Sequence, residues 1–181
     1  MFFRHFFSPA PEAQTARDIY SSIVAKARQP YFYAVLGVPD TIDGRFDMIL
    51  LHAILLMNRL AQGSPAARDL AQKIFDELFA DMDRSLREMG VGDLSVGKRV
   101  RKMAMAFYGR AKAYRDALAE NDTRALQAAL ARNIFPEGVD AGTAASLTAY
   151  VLACARTLSL RSETELLEGR VAFPNPENRS P

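Results

Sequence analysis

The chain has no tryptophan, one cysteine and two histidines among its 181 residues. A lone cysteine, Cys154, cannot close an internal disulfide, which points to a reducing compartment. The histidines offer little to a metal. His5 lies in the N-terminal tail, and His52 has no His, Cys or carboxylate at i+3 or i+4, the spacings that share a helical face. No metal and no cofactor are expected. Apolar runs are short, and none approaches the roughly 18 residues of a membrane span. The opening MFFRHFFSPA is broken by Arg4 and His5 and followed by Pro9 and Pro11, unlike the apolar stretch of about 7–15 residues in a signal peptide. These absences lead to the expectation of a cytoplasmic protein, peripheral at most to the inner membrane. Phe2, Phe3, Phe6 and Phe7 are expected to tuck onto the core.

Charge of one sign is also scarce in the balance. The net charge is +2, so the chain as a whole is not built as a nucleic-acid binder, and no specific DNA binding is expected. Catalytic signatures are missing as well. There is no G-x-S-x-G elbow and no D-D-x-x-D pair; the DMD at Asp81–Asp83 lacks the rest of that pattern. Gly92–Lys98 fits G-x-x-x-x-G-K, but Arg99 stands where a phosphate-binding loop needs Ser or Thr for magnesium, and the segment follows an amphipathic helix instead of a strand. Cys154, on an apolar helical face with no histidine near it in sequence, reads as buried and inert.

What is present is helical periodicity. The length suits one domain, with 49% hydrophobic and 24% charged residues. Ile19, Tyr20, Ile23, Val24 and Ala27 repeat at helical spacing from about Ala13 to Arg28, and Gln29-Pro30 ends that helix. Residues Tyr31 to Asp43 read as a loop with Gly37, Pro39 and Asp40 as turn residues. Asp43 then reads as the N-cap of a helix from about Gly44 to Gln62. Leu51, Leu55 and Leu56 make this helix apolar on more than one face, which places it at the centre of a bundle.

Ser64-Pro65 starts a third helix, to about Met89, with serine as cap and proline at the first helical position. A fourth is expected from Lys98 to Ala119, with Val100, Met103, Phe107, Ala111, Tyr114 and Leu118 inward. Asp122-Thr123 caps a fifth to about Asn133, a sixth runs from Thr143 to Leu160, and Ser162 caps one last turn. The expected fold is all-α: a single-domain antiparallel bundle of about six helices with extended termini. The division is an N-terminal tail over 1–12, a helical domain over 13–168 and an extended tail over 169–181.

Two features suggest partner contact. The stretch Tyr31 to Asp43 holds the aromatics Tyr31, Phe32 and Tyr33 beside Asp40, Asp43 and Arg45, a mix found at interfaces. Lys98, Arg99, Arg101 and Lys102 cluster at the expected start of a helix, where cations oppose the helix dipole. That placement hints at an anionic partner: lipid headgroups, ribosomal RNA or an acidic protein surface. Asp83 and Arg87, and Asp81 and Arg84, are spaced to pair along the third helix. His52 reads as a hydrogen-bonded structural residue, yet it is kept with Arg59 among the partner-binding candidates. Met48, Met57, Met82, Met89, Met103 and Met105 could line an adaptable groove or fill the core.

Several segments together resemble the ubiquinol–cytochrome c chaperone family. The most telling are ARQPYFY, GVPDT-x-DGRFDM with LH after it, DMD-x-x-LREMGVGD and AFYGR-x-x-AY, within a likeness that spans about Ala16 to Pro176. The resemblance implies an all-α, non-enzymatic protein without cofactor or catalytic residues. Mitochondrial members of that family assist assembly of the cytochrome bc1 complex. They bind newly made cytochrome b with a small partner protein near the ribosomal exit. This chain resembles a shorter, bacterial-type member without a presequence. The implied partners are cytochrome b or a bc1 assembly intermediate, a small partner protein, and weak contact with a membrane surface or ribosome. A helical lipid- or quinone-binding module, or an adaptor at the membrane surface, is the alternative. An isoprenoid- or quinone-handling enzyme ranks last.

Overall fold

A computed structural model describes residues 11–177. Eight helices follow one another among these residues: α1 (Pro11–Ala27), α2 (Pro30–Ala34), α3 (Ile42–Leu60), α4 (Pro65–Glu88), α5 (Asp93–Ala119), α6 (Thr123–Ile134), α7 (Ala141–Ser159) and α8 (Glu163–Leu167). Six are long and two are single turns, and the described residues contain no strand. The expected all-α bundle is therefore present.

The sequence of α3 sets the architecture. Every residue from Met48 to Leu56 is buried, so this helix has no solvent face over more than two turns. A helix apolar all round must be covered all round, and α1, α4, α5, α6 and α7 pack on it. The covering helices are one-sided. Leu70, Ile74, Leu78, Met82 and Leu86 face inward from α4, at successive four-residue steps. Between helices the links are short, and α3 to α7 pack consecutively.

Local cap chemistry fixes most helix starts. Ser64 Oγ accepts from Ala67 N–H at 3.3 Å, with Pro65 in the first helical position. Asp122 Oδ1 accepts from Ala125 N–H at 2.9 Å. At α8, Ser162 and Glu165 form a reciprocal capping box. Glu163 in turn accepts the Ser64 N–H at 3.1 Å, tying α8 to the start of α4.

Three expected boundaries differ. The cap of α3 is Thr41, not Asp43: Thr41 Oγ1 accepts from Gly44 N–H at 3.1 Å, and Asp43 becomes a first-turn acid that complements the helix dipole. α5 starts at Asp93, five residues before Lys98, since Gly92 serves as N-cap and Ser95 to Gly97 continue the helix. Asp140, whose carboxylate accepts from Gly142 and Thr143, starts α7 at Ala141.

At the C-terminal end, residues 171–177 carry no regular structure but lie on the core. Phe173 meets His52 edge-on at 5.0 Å between ring centroids, and Lys26 Nζ donates to Pro174 O at 3.3 Å. The readings of Phe2, Phe3, Phe6 and Phe7 fall outside the described residues.

Candidate functional site

The segment expected to be a loop between Tyr31 and Asp43 contains a helical turn, α2, with Pro30 at its first position. A helix turns about 100° per residue, so three successive aromatics cannot share a face. Phe32 goes into the core, fully buried. Tyr31 and Tyr33 are left half-buried on opposite sides of this elbow. Tyr33 lines a groove of about 470 Å³ with Arg28, Pro30, Ala34, Asp40 and Arg45. Tyr31 lines a second, of about 490 Å³, with Leu36 and the small residues Ala145, Ala149 and Ala153 of α7. Pro174 and Pro176 form its rim.

Tyr33 OH donates to Ala27 O at 2.8 Å, holding the ring against the end of α1. Its hydroxyl pKa is raised, first by burial. Arg45 Nε and Asp40 pair at 2.6 Å across the first groove. The Arg45 hydrogen bond pulls the Asp40 carboxyl below its ordinary value. At this turn the backbone of Gly44 passes so close to Pro39 that a Cβ would sit 2.0 Å from Pro39 O. Glycine is the residue that position admits. Val35 and Ile42 stand out at either end of the elbow, exposed by 57% and 66%.

Beneath the elbow lies a buried polar-aromatic cluster. Phe32 packs edge-on against Tyr150 and His52, with centroids at 5.1 and 5.7 Å. His52 Nδ1 is 2.7 Å from Met48 O and Nε2 is 2.8 Å from Tyr150 OH. Because a carbonyl only accepts, Nδ1 carries the proton, and Tyr150 OH donates to Nε2. Burial pushes the imidazole down to about 4, so it is neutral. Burial also raises the Tyr150 hydroxyl and pushes the Cys154 thiol up to about 12. Cys154 is thus a buried protonated thiol, as the sequence suggested.

Two members of the expected partner surface are therefore corrected. Phe32 and His52 are enclosed, both fully buried, and they lie beneath the elbow and not on its surface. Tyr31, Tyr33, Asp40, Asp43 and Arg45 do reach the surface. Arg59 is half-buried and donates to Arg161 O at 3.1 Å, bracing α3 against the turn before α8.

The basic cluster forms a separate surface on α5. Lys98, Arg99, Arg101 and Lys102 are all exposed and line a groove of about 460 Å³ with Ser95 and Met105. They sit in the second and third turns, behind Asp93, so the expected clash with the helix dipole is largely absent. Among the described residues, none of the four makes an ion pair. Arg110, farther along, is different. It pairs with the mostly buried Asp47 of α3 and donates to Asn133 O at 3.4 Å. Burial raises the Asp47 carboxyl, and the Arg110 hydrogen bond opposes that rise. Asp83 pairs with Arg87 at 2.6 Å and Asp81 with Arg84 at 2.8 Å, as their spacing predicted. The methionines divide: Met48 and Met82 are core, while Met89 and Met105 are exposed.

Sequence reasoning missed Val35, Ile42, the small-residue face of α7 and, on α5, the exposed Leu94 and Tyr108 that flank Met105. The spacing Leu94, Lys98, Arg101, Met105, Tyr108 carried the last of these, once α5 is begun at Asp93. Among the described residues no group of three His, Cys, Asp or Glu could hold a metal ion, and no helix is long and apolar enough to cross a membrane.

Comparison with known proteins gives a consistent set of likenesses. The family model described as ubiquinol-cytochrome C chaperone matches residues 34–173. The chain is 26% identical over 125 residues to the ubiquinol-cytochrome-c reductase complex assembly factor 1 of Xenopus laevis, covering 69% of this chain and 62% of that protein. It is 28% identical over 160 residues to the protein of that name in Mus musculus, covering 87% and 54%. Against the mitochondrial protein CBP3 of Saccharomyces cerevisiae it is 28% identical over 151 residues, covering 81% and 45%. The chain thus spans about half the length of the curated relatives it matches. The crystal structure of the Cbp3 homolog from Brucella abortus is similar with a TM-score of 0.85 and 44% identity, over 92% of each chain.

Proposed function

Since this chain belongs to the ubiquinol–cytochrome c chaperone family, we propose that it is a non-catalytic factor in assembly of the ubiquinol–cytochrome c reductase (bc1) complex. Its client is newly made cytochrome b or an early intermediate that contains it. The observation that carries this reading is the family match over residues 34–173, which takes in α3 to α8, with Asp40, Arg45 and the whole of α5, and begins just after Tyr31 and Tyr33 of the elbow. Relatives named as assembly factors of that reductase complex support it.

The physical reading is compatible. The elbow offers partly exposed aromatics and aliphatics on a frame that cannot easily give way, because Phe32, His52 and Tyr150 interlock below it. Tyr31, Tyr33, Val35 and Ile42 supply apolar contact, and Asp40, Asp43 and Arg45 the polar rim. Such a surface suits holding and release. The client's apolar segments would gain burial in the two grooves without any bond being made or broken.

The test is a deletion strain. Assembled bc1 complex is quantified in isolated membranes by b-type heme spectrum and ubiquinol–cytochrome c reductase activity. Selective loss of bc1, with other respiratory complexes intact and rescue by the wild-type gene, is the expected result. Normal bc1 content would overturn the proposal.

A further inference from the structure

One face of α5 is almost without a partner in the bundle: only its last member, Tyr108, meets another helix, with its ring 5.8 Å from that of Phe75 on α4. Leu94, Lys98, Arg101, Met105 and Tyr108 follow one another at steps of four, three, four and three, so they stand in one row opposite the buried Val96, Phe107 and Tyr114. Leu94 is 98% exposed, Met105 70% and Tyr108 61%. Lys98 and Arg101 lie between them, Lys102 and Arg99 flank the row, and among the described residues none of these cations has an acidic partner. The local acids do not neutralise the row. Asp93 is engaged by Arg87, which also holds Asp83. Lys112, one turn beyond Tyr108, pairs with Asp116. Glu88, exposed at the end of α4, is the nearest remaining acid in sequence.

We propose that this row is a docking face for the headgroup region of an anionic lipid bilayer, on which α5 lies parallel to the surface. The row extends about 21 Å at 1.5 Å per residue, a flat strip along one rigid helix. Its composition favours lipid over protein. Lysine is depleted in protein–protein interfaces, where its head must be desolvated. At a bilayer surface Lys98, Lys102 and their arginine neighbours keep their heads among phosphates while their stems lie on apolar material. Leu94 and Met105 then enter the acyl boundary, and Tyr108 takes the interfacial position its ring and hydroxyl prefer. RNA fits less well, because single-stranded bases want aromatic platforms and the row offers one tyrosine. The inference rests on the proposed function only for its setting, a factor that meets a membrane-bound client.

The experiment is co-sedimentation of the full chain with vesicles of phosphatidylcholine alone or mixed with phosphatidylglycerol. Binding is expected to the mixed vesicles and to fall about tenfold or more for Lys98→Gln/Arg101→Gln. It is also expected to fall for Leu94→Ser/Met105→Ser, with circular dichroism and thermal midpoint unchanged in both. The chain has no tryptophan, so Leu94→Trp gives a single reporter whose emission should shift to the blue on mixed vesicles. Failure to bind mixed vesicles would overturn the docking face. So would binding that leaves the indole emission of the Leu94→Trp variant in its aqueous position, because that is surface adhesion of a cationic protein. Loss of bc1 in the charge variant without any vesicle binding would assign the row to a protein partner. The two proposals fail separately. Vesicle binding with normal bc1 in the deletion strain removes the assembly role alone, and lost bc1 with no vesicle binding removes the docking face alone.

Discussion

His52 on α3 and Tyr150 on α7 are joined by a 2.8 Å hydrogen bond between Nε2 and OH, across 98 residues of sequence. The imidazole also donates from Nδ1 to Met48 O, so both ring nitrogens are satisfied and the ring is neutral at 0% exposure. Both side chains pack against Phe32, and the bond therefore sets the floor on which the α2 elbow sits.

The first prediction is a pH dependence. The folded-state pKa of His52 is lowered to about 4 from 6.5. A group lowered on folding takes up its proton more readily in the unfolded chain. Its contribution is whole above pH 6.5 and is lost as pH falls toward 4. By linkage, about 2 kcal/mol should go between pH 7.5 and pH 5. The carboxyl of Glu165, held to about 2, titrates below this window. Urea unfolding at the two pH values measures the loss, and His52→Gln should flatten it while lowering stability at pH 7.5. An equal slope in wild type and variant would show that His52 takes up its proton as readily in the fold as in the unfolded chain.

Tyr150→Phe removes the donor to Nε2 and leaves that nitrogen buried without a partner. The expected cost is about 1–3 kcal/mol, read as a lower urea midpoint at unchanged m-value. Replacing His52 and Tyr150 together should cost less than the two single losses summed, because neither group is then left waiting for the other.

Such a bond could not be read from the sequence. His52 showed only as a lone histidine on an apolar helix, and nothing local connects it to Tyr150. What was legible is what neighbours decide. Ser64-Pro65, Asp122 and Ser162 cap helices through side chains that reach three residues ahead. The all-apolar α3 announced its central place. The aromatic triplet was visible as a unit, but which ring turns inward depends on the helical turn that Pro30 starts. Gln29-Pro30 was read as the end of α1, and it is also the start of α2. The beginning of α5 was missed because Gly92 and Gly97 look like loop residues, and that hid the row of exposed side chains between Leu94 and Tyr108.

Asp47 and Arg110 tie α3 to α5 as a mostly buried ion pair, and Arg110 extends the tie to α6 through Asn133 O. Arg110→Leu should cost about 2–4 kcal/mol, most of it for a carboxylate left without its partner. Asp47→Leu/Arg110→Met should cost less than Arg110→Leu alone. Chemical denaturation of the three proteins decides this. A double variant worse than the single would mean that the pair contributes more than the penalty of breaking it.

Two glycines should respond in opposite directions. Gly44→Ala places a Cβ 2.0 Å from Pro39 O, backbone that cannot step aside, so at least ~2 kcal/mol should be lost. Gly109 is inside α5 with nothing within 4 Å of a Cβ. Gly109→Ala should gain about 0.5–1 kcal/mol from helix propensity alone. Thermal midpoints of the two variants provide the comparison. A tolerated Gly44→Ala would show that the elbow can open at Pro39.

The last prediction concerns the elbow as a client surface. Val35 and Ile42 are large, apolar and mostly in solvent, and they have little packing to lose. Aspartate at 42 falls in the first turn of α3, where a negative charge suits the helix dipole. Val35→Asp/Ile42→Asp should therefore keep its stability within about 0.5 kcal/mol of wild type. The same two charges would have to be desolvated beneath any apolar client segment seated on the elbow, a cost of several kcal/mol that such a segment could not recover. Expressed in the deletion strain at wild-type abundance, the variant should restore little bc1 complex, whereas Asp40→Asn/Arg45→Gln, which changes only the polar rim, should restore more. Full restoration by the aspartate variant would move the client to another face of the bundle, and the small-residue side of α7, with Ala145, Ala149 and Ala153 in one groove, would be the next to receive a charge.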